Sequence, residues 1–311
     1  MKFVMIGSGA VGSYFGAKLQ QAGHEVVFVA RGAHRRALSE NGLTLCVGDD
    51  ETRLFPVTAT DDLATIDRAD YVLIGVKTWQ VDEVAQALPA IKGPDTRFLT
   101  LQNGVEAGST VAAQIGPEQT LSGLVRGFFQ MDAPGRVRHV GVQPTIIFGQ
   151  LDGGRDQPAQ DLLAALLAAG VHAELSGDIE AALWEKFLLV TSLSGLGAVT
   201  RSPIGELRTF GPTRQMLAEA MAEIVAVARG RGVHLPDDAT TRTLAFVDTF
   251  PADATTSMQR DLMAGLPSEL EAQTGAVVRL GRKAGVATPV TQFIYDSLIL
   301  QEMRARSVER G

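Results

Sequence analysis

The chain contains 311 residues, which is enough for two domains that each bury a hydrophobic core. Its 28 basic and 35 acidic residues give a net charge of −7, which argues against a general nucleic-acid binder or a binder of anionic membranes. The composition, 45% hydrophobic and 20% charged, is that of a globular protein, and a single cysteine excludes an intramolecular disulfide and any site built from several cysteines.

Short apolar runs alternate with helical patterns in the first half of the chain. Buried strands are predicted by apolar runs at residues 3–6, 25–30, 71–76 and 97–101. Helices are predicted by apolar spacing at residues 10–22, 81–88, 106–115 and 159–169. Further short strands are predicted at residues 121–130, 136–141, 145–149 and 171–175. Because strands and helices alternate, we expect an α/β fold with a doubly wound parallel sheet.

Long helical patterns broken by glycine and proline fill the second half. They cover residues 179–193, 212–229, 238–249, 270–284 and 291–306, and no strand run stands out among them. We therefore expect an α/β domain at residues 1–177 and an all-helical domain at residues 178–311. We expect that the helical domain can form a homodimer, although no apolar stripe in the sequence marks a dimer interface. No run approaches the ~20 apolar residues of a membrane span, and the apolar N-terminal stretch is too short for a signal peptide, so we expect a cytoplasmic protein with no membrane partner.

A glycine-rich loop follows the first predicted strand. Gly7-Ser8-Gly9-Ala10-Val11-Gly12 has the spacing G-x-G-x-x-G, opens a predicted helix and is followed by a second strand. The first glycine permits a tight turn, the second lets the backbone approach a pyrophosphate, and the third lets helix and strand pack closely. The helix N-terminus adds free N–H groups and partial positive charge. All six residues are therefore predicted to form a Rossmann-type dinucleotide site, and a glycine-rich turn without a ligand is the alternative.

The residues after the second strand indicate which dinucleotide is bound. An NAD enzyme usually places an acidic residue there, where it binds the 2′-hydroxyl of the adenine ribose. This chain has Arg31 instead, followed by His34, Arg35 and Arg36. A carboxylate would repel a 2′-phosphate, whereas a guanidinium can bind it through two hydrogen bonds. We therefore expect NADP(H), with Arg31 as the main contact, and a solvated charge cluster is the alternative.

One lysine lies in a largely apolar helical pattern just after the expected domain boundary. Lys186 stands within Trp184-Glu185-Lys186-Phe187, and a solvated surface lysine is the simplest interpretation. This segment, however, should cross the cleft near the carboxyl ends of the strands, where such folds bind their ligands. A lysine partly withdrawn from water can protonate the alkoxide that forms when a ketone accepts a hydride. The five histidines show no metal-ligand spacing, so we expect no metal site.

Several motifs occur in one order along nearly the whole chain. They are residues 7–12, Arg31, Val76-Lys77-Thr78, Leu101-Gln102-Asn103-Gly104-Val105-Glu106, Trp184-Glu185-Lys186, Thr256-Ser257-Met258-Gln259-Arg260-Asp261 and Glu269-Leu270-Glu271. This order resembles that of ketopantoate reductases, which are 2-dehydropantoate 2-reductases. The resemblance implies NADPH-dependent reduction of a 2-keto acid to a 2-hydroxy acid, as in the pantothenate and coenzyme A pathway.

The resemblance also implies roles for individual residues. Lys186 would be the proton donor, and Asn103 would lie near both the nicotinamide and the substrate. Lys77 would contact the cofactor, Ser257 would contact the substrate, and Glu269 would be a polar anchor on the cofactor side. Local interpretations stay open, because Asn103 can belong to a turn and Lys77 can be a solvated strand end. Likewise, Ser257 can cap a helix and Glu269 can lie at a helix start.

The substrate half departs from the family pattern. Asparagines one and two turns after the lysine are replaced by Val190 and Ser194, and an asparagine before Gly-Glu-Leu is replaced by Ile204. Those amides would bind the carboxylate and hydroxyl of ketopantoate, so their loss favours a bulkier or less polar 2-keto acid or another carbonyl compound, with ketopantoate still a candidate. Two alternatives stay open, a related dehydrogenase of the opine or 3-hydroxy-acid type and a non-catalytic NADP(H)-binding sensor.

Overall fold

The computed structural model describes residues 1–309. The chain forms two compact units. The first unit comprises Met1–Gln102 and Glu106–Ile179, and the second comprises Asn103–Val105 and Glu180–Gly311. A short segment in the middle of the α/β half of the sequence therefore belongs to the helical unit.

Ten strands form one sheet in the described part of the first unit. They are β1 (Lys2–Ile6), β2 (Glu25–Val29), β3 (Leu43–Val47), β4 (Asp50–Leu54), β5 (Thr58–Thr60), β6 (Tyr71–Ile74), β7 (Arg97–Thr100), β8 (Thr120–Ala133), β9 (Arg136–Gln150) and β10 (His172–Leu175). Their order is β4-β3-β9-β8-β7-β6-β1-β2-β5, and β10 also pairs with β9. The pairs from β5 through β8 are all parallel, as the alternating pattern predicted.

Antiparallel pairing at one side of the sheet departs from the prediction of a parallel sheet. Strands β8 and β9 form a long hairpin of 14 and 15 residues, and β3 pairs with β4 in the same antiparallel sense. The sequence predicted three short strands in place of this hairpin, because glycine and proline interrupt its apolar pattern. The result is a mixed sheet in which parallel pairs predominate.

Five α-helices accompany this sheet and bury both of its faces. They are α1 (Ala10–Gln21), α2 (Gly32–Asn41), α3 (Val81–Ala87), α4 (Ala107–Ile115) and α5 (Gln157–Ala168). Along β1, Phe3 and Met5 belong to one apolar core cluster, whereas Val4 and Ile6 belong to another. Successive side chains of a strand point to opposite faces, so both faces are covered, and this is why the central strands are continuous apolar runs.

The second unit is helical throughout its described residues. Its helices are α6 (Ile179–Thr200), which begins at the last residue of the first unit, α7 (Ile204–Thr209), α8 (Gly211–Gly230), α9 (Ala239–Val247), α10 (Ser257–Met263), α11 (Thr274–Ala284) and α12 (Pro289–Glu309). One apolar cluster that includes Trp184, Leu217 and Val277 forms its core. The prediction of an α/β half followed by an all-helical half is confirmed, although α7, α10 and, in the first unit, α2 were not predicted.

Helix α6 is longer than the helix predicted at residues 179–193. It has 22 residues and a mean hydropathy of 1.2 in its most apolar window, so by length and composition it could span a membrane. Because 67% of that window is buried within the protein, α6 has the burial of a core helix in a folded domain.

Candidate functional site

The glycine loop between β1 and α1 is held by close backbone packing. The N–H groups of Gly7 and Ser8 donate to the carbonyl of Val29, at 3.2 and 3.1 Å, which ties the loop to the end of β2. Gly7 has φ +83°, and a Cβ there would lie 2.5 Å from Val76. A Cβ on Gly12 would lie 2.5 Å from the Gly7 carbonyl oxygen. Packing alone therefore requires the first and third glycines.

The second glycine is different, because the position of its absent side chain is open. Gly9 is exposed, and a Cβ built on it would meet no atom of the described residues within 4 Å. It is the N-cap residue of α1, and no side chain caps the helix there. Ala10 and Val11 begin the helix, while the Ser8 hydroxyl turns inward and donates to the Met5 carbonyl. An uncapped helix start behind an unobstructed glycine fits a dinucleotide pyrophosphate, which needs both close backbone approach and N–H donors.

Arg31 stands beside an acidic residue that the sequence analysis did not single out. It is the N-cap residue of α2, and its Nη2 lies 3.1 Å from Oε1 of Glu83 in the first turn of α3. Both side chains are mostly exposed, so this ion pair contributes little stability. Arg35 pairs with Asp61 at 3.1 Å, so neighbouring arginines have separate carboxylate partners.

His34 connects the glycine loop to the turn of the β8–β9 hairpin. Its Nδ1 accepts a hydrogen bond from the Gly135 N–H at 3.0 Å, so the ring proton lies on Nε2 and is donated to the Ser13 hydroxyl at 3.3 Å. Ser13 in turn donates to the Ser8 carbonyl at 2.8 Å. Burial lowers the pKa of His34, which favours this neutral form.

Lys77 follows β6, which is the third strand predicted in the first half of the chain, but it lies further beyond the end of that strand than the sequence indicated. Strand β6 ends at Ile74, and the exposed Lys77 side chain has its Nζ 5.8 Å from the centre of the Trp79 ring. The intervening backbone is held by Gln102, whose Nε2 donates to the carbonyls of Ile74 and Val76 at 2.8 and 3.1 Å. Gln102 therefore orders the carboxyl end of β6, a role that its place in the motif did not reveal.

The helical unit brings together three of the predicted site residues. Nζ of Lys186 donates to Oδ1 of Asn103 at 2.8 Å, and Nδ2 of Asn103 donates to Oε2 of Glu269 at 2.7 Å. These residues are 83 and 166 positions apart in sequence, and all three belong to the second compact unit. The amide orientation is determined, because a flipped Asn103 would turn its NH2 group toward an ammonium and its oxygen toward a carboxylate.

The backbone around Asn103 is constrained by the glycine that follows it. Gly104 has φ +95°, and a Cβ there would lie 2.9 Å from the carbonyl oxygen of Ala272. Val105 packs against the apolar core of the helical unit. The Asn103 loop is thereby held against the segment that carries Glu269.

The Glu269 segment is anchored by a buried ion pair on α12. The Ser268 N–H lies 3.1 Å from both carboxylate oxygens of Glu302, and the Ser268 hydroxyl donates to Oε2 at 2.5 Å. Arg306 lies 2.6 Å from Glu302 and also donates to the Ser268 carbonyl at 2.8 Å. Glu302 and Arg306 therefore fix the residue next to Glu269, and the sequence analysis missed both.

The other predicted substrate residues have mixed environments. Val190 is half-buried and Ser194 is fully buried, one and two turns after Lys186 on the same face of α6, and the Ser194 hydroxyl has no hydrogen-bond partner among the described residues. Ile204 is buried in the apolar core. Ser257 is the exposed first residue of α10, whose cap is the neighbouring Thr256 hydroxyl. Within residues 1–309, no group of three or more His, Cys, Asp or Glu side chains could hold a metal ion.

Comparison with known proteins assigns the chain to a family. The family model described as "Ketopantoate reductase PanE/ApbA" matches residues 3–153, and the model of its C-terminal region matches residues 178–302. The chain belongs to the ketopantoate reductase family. It is therefore an oxidoreductase that acts on a small keto acid with a nicotinamide cofactor.

Relatives of this ketopantoate reductase family member match along its whole length. The 2-dehydropantoate 2-reductase of Mesorhizobium japonicum is 30% identical over 332 residues, covering 100% of this chain and 99% of the relative. The crystal structure of a PanE/ApbA family ketopantoate reductase from Ralstonia eutropha has a TM-score of 0.89 at 32% identity, covering 98% of this chain and 100% of that one. A D-mandelate dehydrogenase solved with NADH and anilino(oxo)acetate also has a TM-score of 0.89, covering 98% of this chain and 99% of that one; at 24% identity this shows a shared fold.

Proposed function

We propose that this ketopantoate reductase family member uses NADPH, bound by a domain at residues 1–177, to reduce a 2-keto acid held by a domain at residues 178–311. One observation carries the proposal. The helical unit presents an ammonium group whose position is set by an amide and a carboxylate, Lys186, Asn103 and Glu269. Such an arrangement suits proton donation to an oxygen that becomes negatively charged.

The cofactor, when bound, supplies a hydride to the carbonyl carbon of the keto acid. In our proposal the Lys186 ammonium stabilises the negative charge that develops on the carbonyl oxygen and then transfers a proton to it. Asn103 holds Nζ of Lys186 through its Oδ1, 2.8 Å away, and contacts the substrate. Glu269 fixes the Asn103 amide through its Oε2. Gly7, Ser8, Gly9, Ala10, Val11 and Gly12 bind the pyrophosphate, and Lys77 adds positive charge near it.

The acid role of Lys186 is tested by replacement with methionine. Lys186→Met should lower kcat by about 10²–10⁴-fold, the usual contribution of a general acid, and should leave the Kd for NADPH within about threefold. Lys283→Met is the matched control, because Lys283 is exposed on α11 in the same unit and should keep wild-type kcat. Wild-type kcat in Lys186→Met would remove this lysine from the chemistry.

The choice of NADPH over NADH rests on Arg31. Hydrogen bonds to a charged group contribute about 1.5–3 kcal/mol, so Arg31→Ala should lower kcat/KM for NADPH by about 10- to 150-fold and change that for NADH little. Arg36→Ala is the matched control, since Arg36 is exposed on α2. A wild-type protein that prefers NADH would contradict the assignment.

We propose that the part of the substrate that lies against Val190 is less polar than the corresponding part of ketopantoate. Val190 and buried Ser194 replace amides with fewer hydrogen-bonding groups, and Ile204 lies in the apolar core. Ser257 is kept as a proposed substrate contact. A panel of 2-keto acids, imino acids and 3-keto acids, followed by NADPH oxidation, ranks the substrates and also tests the opine and 3-hydroxy-acid types. Val190→Asn should raise kcat/KM for ketopantoate relative to apolar 2-keto acids, and an unchanged ratio would contradict the specificity argument.

We also propose that the protein is cytoplasmic and forms a homodimer through its helical unit. Helix α12 exposes Phe293, Leu300 and Met303, and spacings of seven and three residues put these side chains on one helix face. Sedimentation of the wild-type protein should give twice the monomer mass, and Leu300→Glu should give the monomer. A monomeric wild-type protein at micromolar concentration would contradict the proposal.

A further inference from the structure

Gln273 is a buried polar residue for which the sequence analysis assigned no role. It immediately precedes α11, and its exposed fraction is 1%. Its Nε2 lies 3.3 Å from Oε2 of Glu269, the same oxygen that accepts from Nδ2 of Asn103 at 2.7 Å. Two amide groups thus converge on one carboxylate oxygen, with the contact from Asn103 the shorter.

The burial of this amide needs an explanation in terms of hydrogen bonding. A buried amide is unfavourable unless it is hydrogen-bonded, and an apolar side chain of similar volume would fill the same space without that cost. Among the described residues the Oε1 atom of Gln273 has no partner, so the hydrogen bond to Glu269 is what compensates the side chain. Packing alone therefore does not account for a glutamine at this position.

The donor on Gln273 has a direct effect on Glu269. A second donor on one carboxylate oxygen restricts the directions in which the carboxylate can turn. A fixed Glu269 keeps the Nδ2 side of Asn103 toward itself and the Oδ1 side toward Lys186. Two hydrogen bonds, which meet at Glu269, therefore connect Gln273 to Asn103, the partner of the proposed proton donor Lys186.

We infer that Gln273 is a positioning residue, which holds the Glu269 carboxylate in the orientation that lets Asn103 hold Lys186. This inference rests on the proposed function of Lys186 as the proton donor. It adds a residue of this chain to the network, and the catalytic step itself is unchanged.

Other charged groups surround Glu269 and are shared by the wild type and the variants described next. Lys186 on α6 lies beyond Asn103, and the Glu302–Arg306 pair on α12 holds the neighbouring Ser268. Glu271 accepts from the Tyr295 hydroxyl at 2.6 Å and lies 3.5 Å from Arg279. Because these groups are unchanged, a difference in kcat between the wild type and a variant reports the change at position 273.

The test compares kcat, KM and the Kd for NADPH in two nearly isosteric variants of the full-length protein. Gln273→Met removes the donor, so we expect kcat to fall about tenfold. Gln273→Glu keeps the volume but puts a second carboxylate beside Glu269 where the donor stood, so we expect kcat to fall further. KM and the Kd for NADPH should each stay within about threefold.

The control is Thr274→Val, which removes an adjacent buried hydroxyl that has no hydrogen-bond partner among the described residues. It should keep the wild-type kcat. Wild-type kcat in both Gln273→Met and Gln273→Glu, or a fall in kcat matched by a similar change in KM and in the Kd for NADPH, would overturn the inference. If that occurs while Lys186→Met is inactive, the positioning role alone fails, whereas a wild type that reduces no 2-keto acid refutes the proposed function itself. If Gln273→Met does not fold, Gln273→Glu alone decides, because an unchanged kcat in that variant contradicts the inference.

Discussion

Substitution of Gly9, the second glycine of the loop, should weaken ligand binding with little change in the stability of the fold. A methyl group on Gly9 would meet no atom of the described residues within 4 Å, and the backbone there is extended, at φ −69° and ψ −159°, without the positive φ that favours glycine. Alanine is a poorer N-cap than glycine by up to about 1 kcal/mol, but it reduces the entropy of the unfolded chain by about 0.4–1 kcal/mol. The two effects oppose each other, so Gly9→Ala should change the free energy of unfolding by less than about 1 kcal/mol.

The same methyl group would stand where the pyrophosphate is proposed to approach the start of α1. Hydrogen bonds to charged groups contribute about 1.5–3 kcal/mol, so loss of one such contact should weaken NADPH binding by about 10- to 150-fold. Gly12→Ala provides the contrast. Its Cβ would lie 2.5 Å from the Gly7 carbonyl oxygen, and overpacking of this kind costs about 1–3 kcal/mol of stability.

The two variants are measured by urea unfolding and by titration calorimetry with NADPH. Gly9→Ala should unfold like the wild type and bind poorly, whereas Gly12→Ala should unfold at lower urea concentration. The reasoning would be refuted by a Gly9→Ala protein that binds NADPH with wild-type Kd, because the unobstructed side of Gly9 would then not face the cofactor.

Three further predictions follow from the surroundings of the two sites. Glu83→Gln should lower KM for NADPH by about two- to fivefold at low salt, since the exposed carboxylate 3.1 Å from Arg31 then no longer competes with a phosphate; a KM unaffected by the substitution would argue against that competition. Glu302→Ala should cost about 3–5 kcal/mol in urea unfolding, because Arg306 keeps a largely buried charge without its carboxylate, and a loss below 1 kcal/mol would show that the pair is solvated. Burial lowers the pKa of His34 below its ordinary value of 6.5. The unfolded chain therefore binds more protons than the native state at acid pH. The contribution of neutral His34 to the free energy of unfolding is fully present above about pH 6.5 and is lost as the pH falls through the lowered native pKa. His34→Phe should therefore show a shallower fall of Tm between pH 7.5 and 5 than the wild type, and parallel Tm curves would contradict this assignment.

The central sheet could be predicted because its strands are buried on both faces. Phe3, Val4, Met5 and Ile6 alternate between two apolar clusters, so the strand is a continuous apolar run that stands out in the sequence. Strand β4, by contrast, consists of Asp50–Leu54 at the edge of the sheet and is mostly exposed. Without a buried face, such a strand carries no apolar pattern, and it was missed.

The site was predictable where a residue acts through its local context and not where it acts through a distant partner. The glycine loop is recognisable because a strand precedes it and a helix follows it. Glu83 and Gln273 acquire their roles from Arg31 and Glu269 through folded contacts, and nothing in the sequence around either residue indicates them. Lys186 was identified from its place just after the expected domain boundary and from the family resemblance, while the amide and carboxylate contacts that orient it became visible only in the folded chain.

The three-residue segment Asn103–Val105 has a consequence for engineering chimeras from this family. It belongs to the helical unit although residues of the other unit flank it on both sides. A hybrid joined once, near residue 179, would therefore combine a loop from one parent with the lysine and glutamate of the other. Transplanting the helical unit between relatives requires two grafts, the long C-terminal piece and this internal tripeptide, if the recipient's amide is to match the donor's ammonium and carboxylate.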